Sequence, residues 1–411
     1  MNSEVSDFLN RYTKSGVPVK DLSRFSGLAE RLGNPQKGLK FVHIAGTNGK
    51  GSVTRMIAAA LINAGYTVGE FTSPYIFSYN DRTRVNGENI PDTALSSVMD
   101  KVKAAVCSDG YSQFEITTAA AFLYFTQMKC DIVVLETGLG GLLDCTNIIT
   151  ENICAVITSI SLDHTAVLGE TVSEIARHKA GIIKNNCPVV LSPHNPEDAV
   201  KVVSEQAINC GSRLIIPKED NIKPLNCDYK GNTFIYKDTE YTTAMPGMHQ
   251  ITNAVTAIEA CGVIKEQYPR LTPKAVQKGI SEAVMPSRCQ VIKNSAPITI
   301  IDGAHNPDGM KALAEFIAAI PNSPKIMVCG MSADKDWQTA LGYISPYIDK
   351  AFCVEGFTKN TVPSEQLCRA FSHGESVSVA ECIEKAKAAA GKDGLLLICG
   401  SLYLRAELGG I

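Results

Sequence analysis

The chain has 411 residues, 45% hydrophobic and 20% charged, a composition ordinary for a soluble globular protein and a length at which two domains are expected. A formal net charge of −3, with acidic and basic residues interspersed, gives no basic face for nucleic acid, so small molecules are the expected partners. No apolar run approaches the length that spans a bilayer, and the start, MNSEVSDFLNRYTKSG, lacks the charged-then-apolar order of a secretory signal. A cytoplasmic, monomeric protein without membrane attachment is expected. Fourteen cysteines with no C-x-x-C pair read as small buried apolar residues in a reducing compartment.

Along the chain, short β-rich runs alternate with helical patterns. Lys40–Ala45, Asp131–Glu136, Ile153–Ile160 and Pro188–Ser192 read as strands, the βαβ signature of a parallel sheet. Asp228–Ala244 instead carries a Lys230-Gly231-Asn232 turn between polar, aromatic-containing runs, which predicts a small antiparallel flap. The segment Met285–Pro297 (MPSRCQVIKNSAP) breaks the pattern with two prolines. A fresh α/β series then begins at Ile298–Asp302 and continues through Lys325–Cys329, Ala351–Val354 and Leu395–Cys399. The expected division is therefore 1–290 and 291–411, the second domain being of ordinary size.

The strongest local signal is FVHIAGTNGKGSVTRMIAAALINAG, a strand, a Gly-rich turn and a helix. Val53, Met56, Ile57, Ala60, Leu61 and Ala64 repeat at the spacing of one buried helical face, and Gly65 stands where a C-terminal cap belongs. Gly46, Thr47, Asn48, Gly49, Lys50, Gly51 and Ser52 are thereby set at a helix N-terminus, where free N–H groups and the helix dipole favour phosphate. Lys50 is expected to reach the β- and γ-phosphates. The literal P-loop pattern is not met: Ile44 holds the first glycine position, Gly51 follows the lysine, and the hydroxyl moves on to Ser52. A plain strand-to-helix turn is the alternative, but three glycines, a lysine and a hydroxyl there are hard to account for otherwise.

The strand DIVVLE ends in Glu136, where a phosphate-loop protein holds its metal or the water on it. The following TGLGGLLD is not a dinucleotide fingerprint, because Leu143 stands where glycine is required. SLDH puts Asp163 and His164 after a strand, at the edge where open parallel sheets bind ligands. A helix then opens with Thr171 and Glu174 as a capping box, and its stripe Val172, Ile175, Ala176 leads to an inward-facing Lys179. Taken singly, each has a plain structural alternative: a strand-end surface carboxylate, a core histidine, a snorkelling lysine.

Assembled, these residues resemble folylpolyglutamate synthase and dihydrofolate synthase of the Mur ligase family along nearly the whole chain. The motifs that carry the resemblance are GTNGKGS at Gly46–Ser52, TSPY at Thr72–Tyr75, ETGLGGLLDCTNII at Glu136–Ile149, SLDHTAVLGETVSEIARHKAGIIK at Ser161–Lys184, MHQITNA at Met248–Ala254, SRCQ at Ser287–Gln290 and DGAHNP at Asp302–Pro307. The resemblance implies an ATP-binding, P-loop-type domain with a mostly parallel sheet, followed by a Rossmann-like α/β domain. It also implies ATP with two magnesium ions. Ser73, Glu136 and His164 then look like metal ligands, and Lys50 and Ser52 like triphosphate contacts. Lys179 matches a lysine carbamylated in the family, which serves as an extra carboxylate near the second magnesium. Asn253 matches a residue near adenine, Arg288 one that reaches the ATP phosphates, Asp302 the ribose contact and His305 a residue facing the cleft. Tyr75 and Leu142 depart from the family pattern, which has histidine at the first and arginine or another polar residue at the second, on the expected pterin side.

The activity so implied is phosphoryl transfer from ATP to a carboxylate of folate or dihydropteroate, followed by attack of L-glutamate on the acyl phosphate. Positioning and charge neutralisation dominate such chemistry, which suits a site rich in cations and metal ligands and poor in nucleophiles. Among the rivals, a GTPase lacks its N-K-x-D motif, the nearest run being Asp334-Lys335-Asp336. A nucleotide-binding module without ligase activity would not need Glu136, His164 and Lys179. Another Mur-type amino-acid ligase shares the chemistry, but roughly forty residues before the phosphate loop are too few for the extra N-terminal domain such enzymes usually carry.

Overall fold

In the computed structural model, which describes residues 3–12, 20–107, 110–292 and 295–408, the strand Phe41–Ala45 (β1) lies inside an eight-stranded sheet. All five of its residues are buried, as in a parallel sheet covered on both faces. The other strands are β2 (Val68–Phe71), β3 (Thr83–Val85), β4 (Glu88–Asn89), β5 (Ile132–Glu136), β6 (Asn152–Ile157), β7 (Val189–Leu191) and β8 (Leu214–Ile215). Their order is β4-β3-β2-β5-β1-β6-β7-β8, parallel except for the antiparallel edge β2-β3-β4. On one side of this sheet Phe71, Val133 and Leu135 pack with Val98, Ile116, Phe122 and Phe125 of the helices Asp92–Ala105 and Gln113–Gln127. A second core joins Ala155, Ile157, Val189 and Leu191 to Ile175, Ala176, Val202 and Val203 of the helices Val172–Ala180 and Glu197–Asn209.

A three-stranded antiparallel sheet follows: β9 (Ile222–Asp228), β10 (Gly231–Tyr236) and β11 (Thr239–Thr243). This is the predicted flap, with one more strand than expected. The turn also shifts, because Gly231 already pairs with Asp228, which leaves Tyr229 and Lys230 as its tip.

The C-terminal sheet comprises β12 (Gln290–Ile292), β13 (Ile298–Ile301), β14 (Lys325–Cys329), β15 (Lys350–Cys353), β16 (Gly374–Ser376) and β17 (Leu395–Cys399), in the order β12-β13-β17-β14-β15-β16. All neighbours run parallel except β12. Ile300, Met327, Cys329, Leu395 and Leu397 face the helices Pro307–Ala318 and Trp337–Ile344, while Ile301, Ile326, Val328, Leu396 and Ile398 face the helix Val379–Ala390. That strict alternation is a two-residue period read on both sides of one sheet. The segment Met285–Pro297, read from sequence as a break, contains a strand: Gln290–Ile292 adds to the sheet edge, and Lys293 and Asn294 lie outside the described residues.

The residues form two compact units, Met1–Asn221 with Thr252–Ala283, and Ile222–Ile251 with Val284–Ile411. Relative to a single cut after residue 290, the flap thus falls with the C-terminal unit. Its hydrophobic link is Tyr229, which packs against the core around Met327 and Leu397. All fourteen cysteines are free thiols. Among the described residues no helix is long and apolar enough to cross a membrane.

Candidate functional site

The phosphate loop is built by β1 ending at Ala45 and the helix Lys50–Asn63 beginning five residues later. Gly49, at φ 87°, is its N-cap in the left-handed region, and a Cβ there would collide with the amide of Asn253. Gly46 is required by proximity, because a Cβ would run into the Thr158 hydroxyl. The loop is tied to the chain that leaves β6. Thr47 N–H donates to the Ser159 carbonyl at 2.6 Å, Thr47 Oγ1 to the Ser161 carbonyl at 3.1 Å, and Thr158 Oγ1 to the Asn48 carbonyl at 2.7 Å. These bonds engage an N–H, a hydroxyl and a carbonyl of the loop and fix the turn that presents the first N–H groups of the helix.

Two ammonium groups converge on the loop. Lys50 Nζ donates to the carbonyls of Gly46 and Thr47, both at 3.0 Å. Lys179 Nζ, on the helix Val172–Ala180, donates to the same Gly46 carbonyl at 2.8 Å and is 2% exposed. Burial pushes the Lys179 ammonium well below the usual lysine range, the charge of Lys50 adds to the effect, and Asp163 opposes it. The capping box of Thr171 and Glu174 starts this helix as expected, and Ile175, Ala176 and Lys179 form its buried face.

Glu136 pairs in register with Ile44, so its carboxylate ends β5 beside the strand that feeds the phosphate loop. It is buried, and its Oε2 accepts the N–H of Ser73 at 3.2 Å. The structure thus brings Ser73 and Glu136 together. His164 lies beyond β6 at the left-handed start of a short helix, φ 51°, with its side chain 43% exposed and Nε2 4.0 Å from Asp163 Oδ1. The Ser52 hydroxyl, in the first turn of the loop helix, is buried with no hydrogen-bond partner, and so is the hydroxyl of Thr137 next to Glu136. Buried oxygens of this kind call for a partner, and hydroxyl and carboxylate donors suit a hard divalent cation. Among the described residues no three His, Cys, Asp or Glu side chains gather as a ready metal site. A magnesium ion here would therefore use hydroxyl and phosphate oxygens as well.

In the C-terminal unit, Arg288 sits between two residues of positive φ, Ser287 at 57° and Cys289 at 45°. Asp302, just past β13, accepts the N–H of Cys289 at 2.6 Å and that of Ala304 at 2.7 Å. His305 donates from Nδ1 to the Gly303 carbonyl at 2.8 Å, and Asn306 caps the helix Pro307–Ala318 through the Gly309 N–H at 2.8 Å. His249 is half-buried and its pKa is lowered, first by desolvation; its Nε2 stands 4.0 Å from Cys289 Sγ.

The Mur ligase middle domain matches residues 44–261, and the Mur ligase glutamate ligase domain matches residues 287–402. The chain belongs to the Mur ligase family. Within it, the chain is 36% identical to folylpolyglutamate synthase of Lacticaseibacillus casei over 80% of this chain and 78% of that one. It is 30% identical to Escherichia coli FolC solved in complex with DHPP and ADP, with TM-score 0.87 over 98% of this chain and 96% of that one. It is 29% identical to a bifunctional folylpolyglutamate synthase/dihydrofolate synthase solved with Mn, AMPPNP and L-glutamate, with TM-score 0.85 over 98% and 97%. As expected from its motifs, this Mur ligase groups with the folylpolyglutamate and dihydrofolate synthases.

At the two positions that depart from the family pattern, the Tyr75 ring packs 5.9 Å from that of Tyr79 with the Arg82 guanidinium 5.3 Å above it, and Leu142 is 46% exposed. Sequence reasoning missed Thr158 and Ser159, which hold the loop of this Mur ligase by side-chain bonds to Asn48. The run of hydroxyl residues TSIS after a buried strand is the signal that could have found them.

Proposed function

We propose that this chain is an ATP-dependent ligase that joins L-glutamate to a folate carboxylate, with dihydropteroate as a second acceptor, through an acyl phosphate. The observation that carries it is the convergence of Lys50 and Lys179 on the Gly46 carbonyl beneath a phosphate loop whose Ser52 hydroxyl is buried without a partner. Burial and the nearby Lys50 charge disfavour the ammonium form of Lys179, which suits an amine that is to become a carboxylate. The relatives solved with ADP and DHPP, or with Mn, AMPPNP and L-glutamate, support the same substrates here.

Gly46–Ser52 cradle the triphosphate through main-chain N–H groups, with Lys50 as a point charge on the transferred phosphoryl group. Ser73, Glu136 and His164 would hold magnesium, two ions in all, and Lys179, carbamylated by CO₂, would supply one more carboxylate. When bound, the metal neutralises charge on the transferring phosphoryl group. Asn253 serves the adenine end, Arg288 the phosphates and Asp302 the ribose, and His305 is a further ATP-binding residue. We assign residues 1–290 to an ATP-binding domain of Mur ligase type and 291–411 to a Rossmann-like ligase domain, working in the cytoplasm.

The test is separate incubation of the pure enzyme with dihydropteroate and with tetrahydrofolate, each with ATP and L-glutamate, measuring ADP release and the glutamylated product. Product from either substrate supports ligation and tells which carboxylate is used. ATP hydrolysis with no amide product from either would overturn it.

A further inference from the structure

Arg288 occupies a position that the backbone does not hold by itself. Both of its neighbours are non-glycine residues in the left-handed region, Ser287 at φ 57° and Cys289 at φ 45°, a conformation that costs energy for each and persists only where surrounding bonds impose it. Three bonds do so. The Cys289 N–H donates to Asp302 Oδ2 at 2.6 Å, the Ser287 carbonyl accepts the Gly303 N–H at 2.8 Å, and the Ser287 N–H donates to Gln290 Oε1 at 3.1 Å. The other Asp302 oxygen takes the Ala304 N–H at 2.7 Å, fixing the DGAHNP turn on which the clamp stands. A Cβ on Gly303 would lie 3.3 Å from Arg288 Nη1, so the guanidinium runs close over that same turn. The Ser287 hydroxyl is buried without a partner, so the serine side chain gains nothing from this conformation.

We infer that Asp302, with Gln290, is a positioning residue that clamps a strained turn and so presents the Arg288 guanidinium in one direction. Strain at two consecutive flanks of a single arginine is what a site needing one rotamer and one approach would store. The carboxylate is suited to the task because a charge-assisted acceptor on a main-chain N–H is stronger than a neutral one. Each Asp302 oxygen keeps a second lone pair, so a ribose contact is compatible with the clamp but is not needed for it. The inference rests on the assignment of Arg288 to ATP and adds a second residue that acts through it.

The test uses the full chain and a double-mutant cycle. Asp302→Asn leaves one of the two N–H donors facing an amide NH₂, and should lower kcat/KM for ATP about ten-fold, chiefly through KM. In an Arg288→Ala background the same change should cost less than about two-fold, since there is no guanidinium left to present. The share of the loss that comes from the clamp should persist with 2′-deoxy-ATP and 3′-deoxy-ATP. Ser287→Gly, which adopts the left-handed conformation freely, should recover most of it in the Asp302→Asn background. That recovery would not follow if Asp302→Asn merely unfolded the domain, and melting temperatures of all variants check the point. An Asp302→Asn defect that is additive with Arg288→Ala, or that disappears with a deoxy nucleotide, would overturn the clamp alone. Unaltered kinetics in Arg288→Ala would overturn the assignment of Arg288 to ATP, and the clamp with it.

Discussion

Lys179 and Lys50 share one acceptor, the carbonyl of Gly46, at 2.8 and 3.0 Å. The two ammonium groups repel, and burial already disfavours the charged form of Lys179, so its neutral amine is within reach and open to CO₂. Lys179→Ala should therefore lose most ligase activity, and a small carboxylate such as acetate should restore part of it. The measurement is turnover against acetate concentration, and full activity of Lys179→Ala without added carboxylate would leave the residue a structural lysine.

Lys50 is half-buried and donates to the loop carbonyls of Gly46 and Thr47 at the helix N-terminus. Its charge serves the phosphates and not a core, so Lys50→Ala should cut kcat by roughly a hundred-fold or more, about 3 kcal/mol of transition-state stabilisation. The far-ultraviolet circular dichroism spectrum should stay that of the wild type. Normal turnover in the variant would remove the phosphate-loop assignment.

Gly279 stands where the helix Pro273–Glu282 crosses the loop helix Lys50–Asn63, and a Cβ there would collide with the backbone of Ala59 and Ala60. Because the obstacle is main chain, the helices must separate. The expected cost of Gly279→Ala, about 1–3 kcal/mol, outweighs the gain of about 1 kcal/mol that alanine brings to a helix. A lower melting temperature, with a raised KM for ATP as the loop helix shifts, is the expected result of thermal denaturation and kinetics.

His43 on β1 is fully buried and accepts or donates at 2.9 Å between Nε2 and Thr146 Oγ1, while its pKa is driven from 6.5 to about 3 by burial and, secondarily, by the charge of Lys184. The folded chain therefore keeps it neutral while the unfolded chain protonates it. The stability involved is fully present above pH 6.5 and is lost as pH falls toward about 3. At pH 5 the loss is roughly 2 kcal/mol. Urea denaturation at pH 7 and pH 5 should show it in the wild type and a smaller drop in His43→Gln; equal drops would assign the acid sensitivity to other groups.

Local chemistry is legible in the sequence wherever one short segment suffices. The glycines and lysine of the phosphate loop, the capping box of Thr171 and Glu174, and the buried stripe leading to Lys179 each follow from spacing within a few residues. So do the strands Lys325–Cys329 and Leu395–Cys399, whose apolar runs are bounded by polar turns. The motifs also sufficed for the family, because their order along the chain is itself information. Tertiary structure alone decided what depends on partners far apart in sequence. Thr158 grips Asn48 across 110 residues, and Lys179 reaches Gly46 across 133. Gln290–Ile292 becomes a strand because β13 offers it an edge, against the prolines that flank its segment. The left-handed Ser287 and Cys289 are invisible to any propensity, since a serine and a cysteine prefer other conformations and only the bonds to Asp302, Gly303 and Gln290 hold them there.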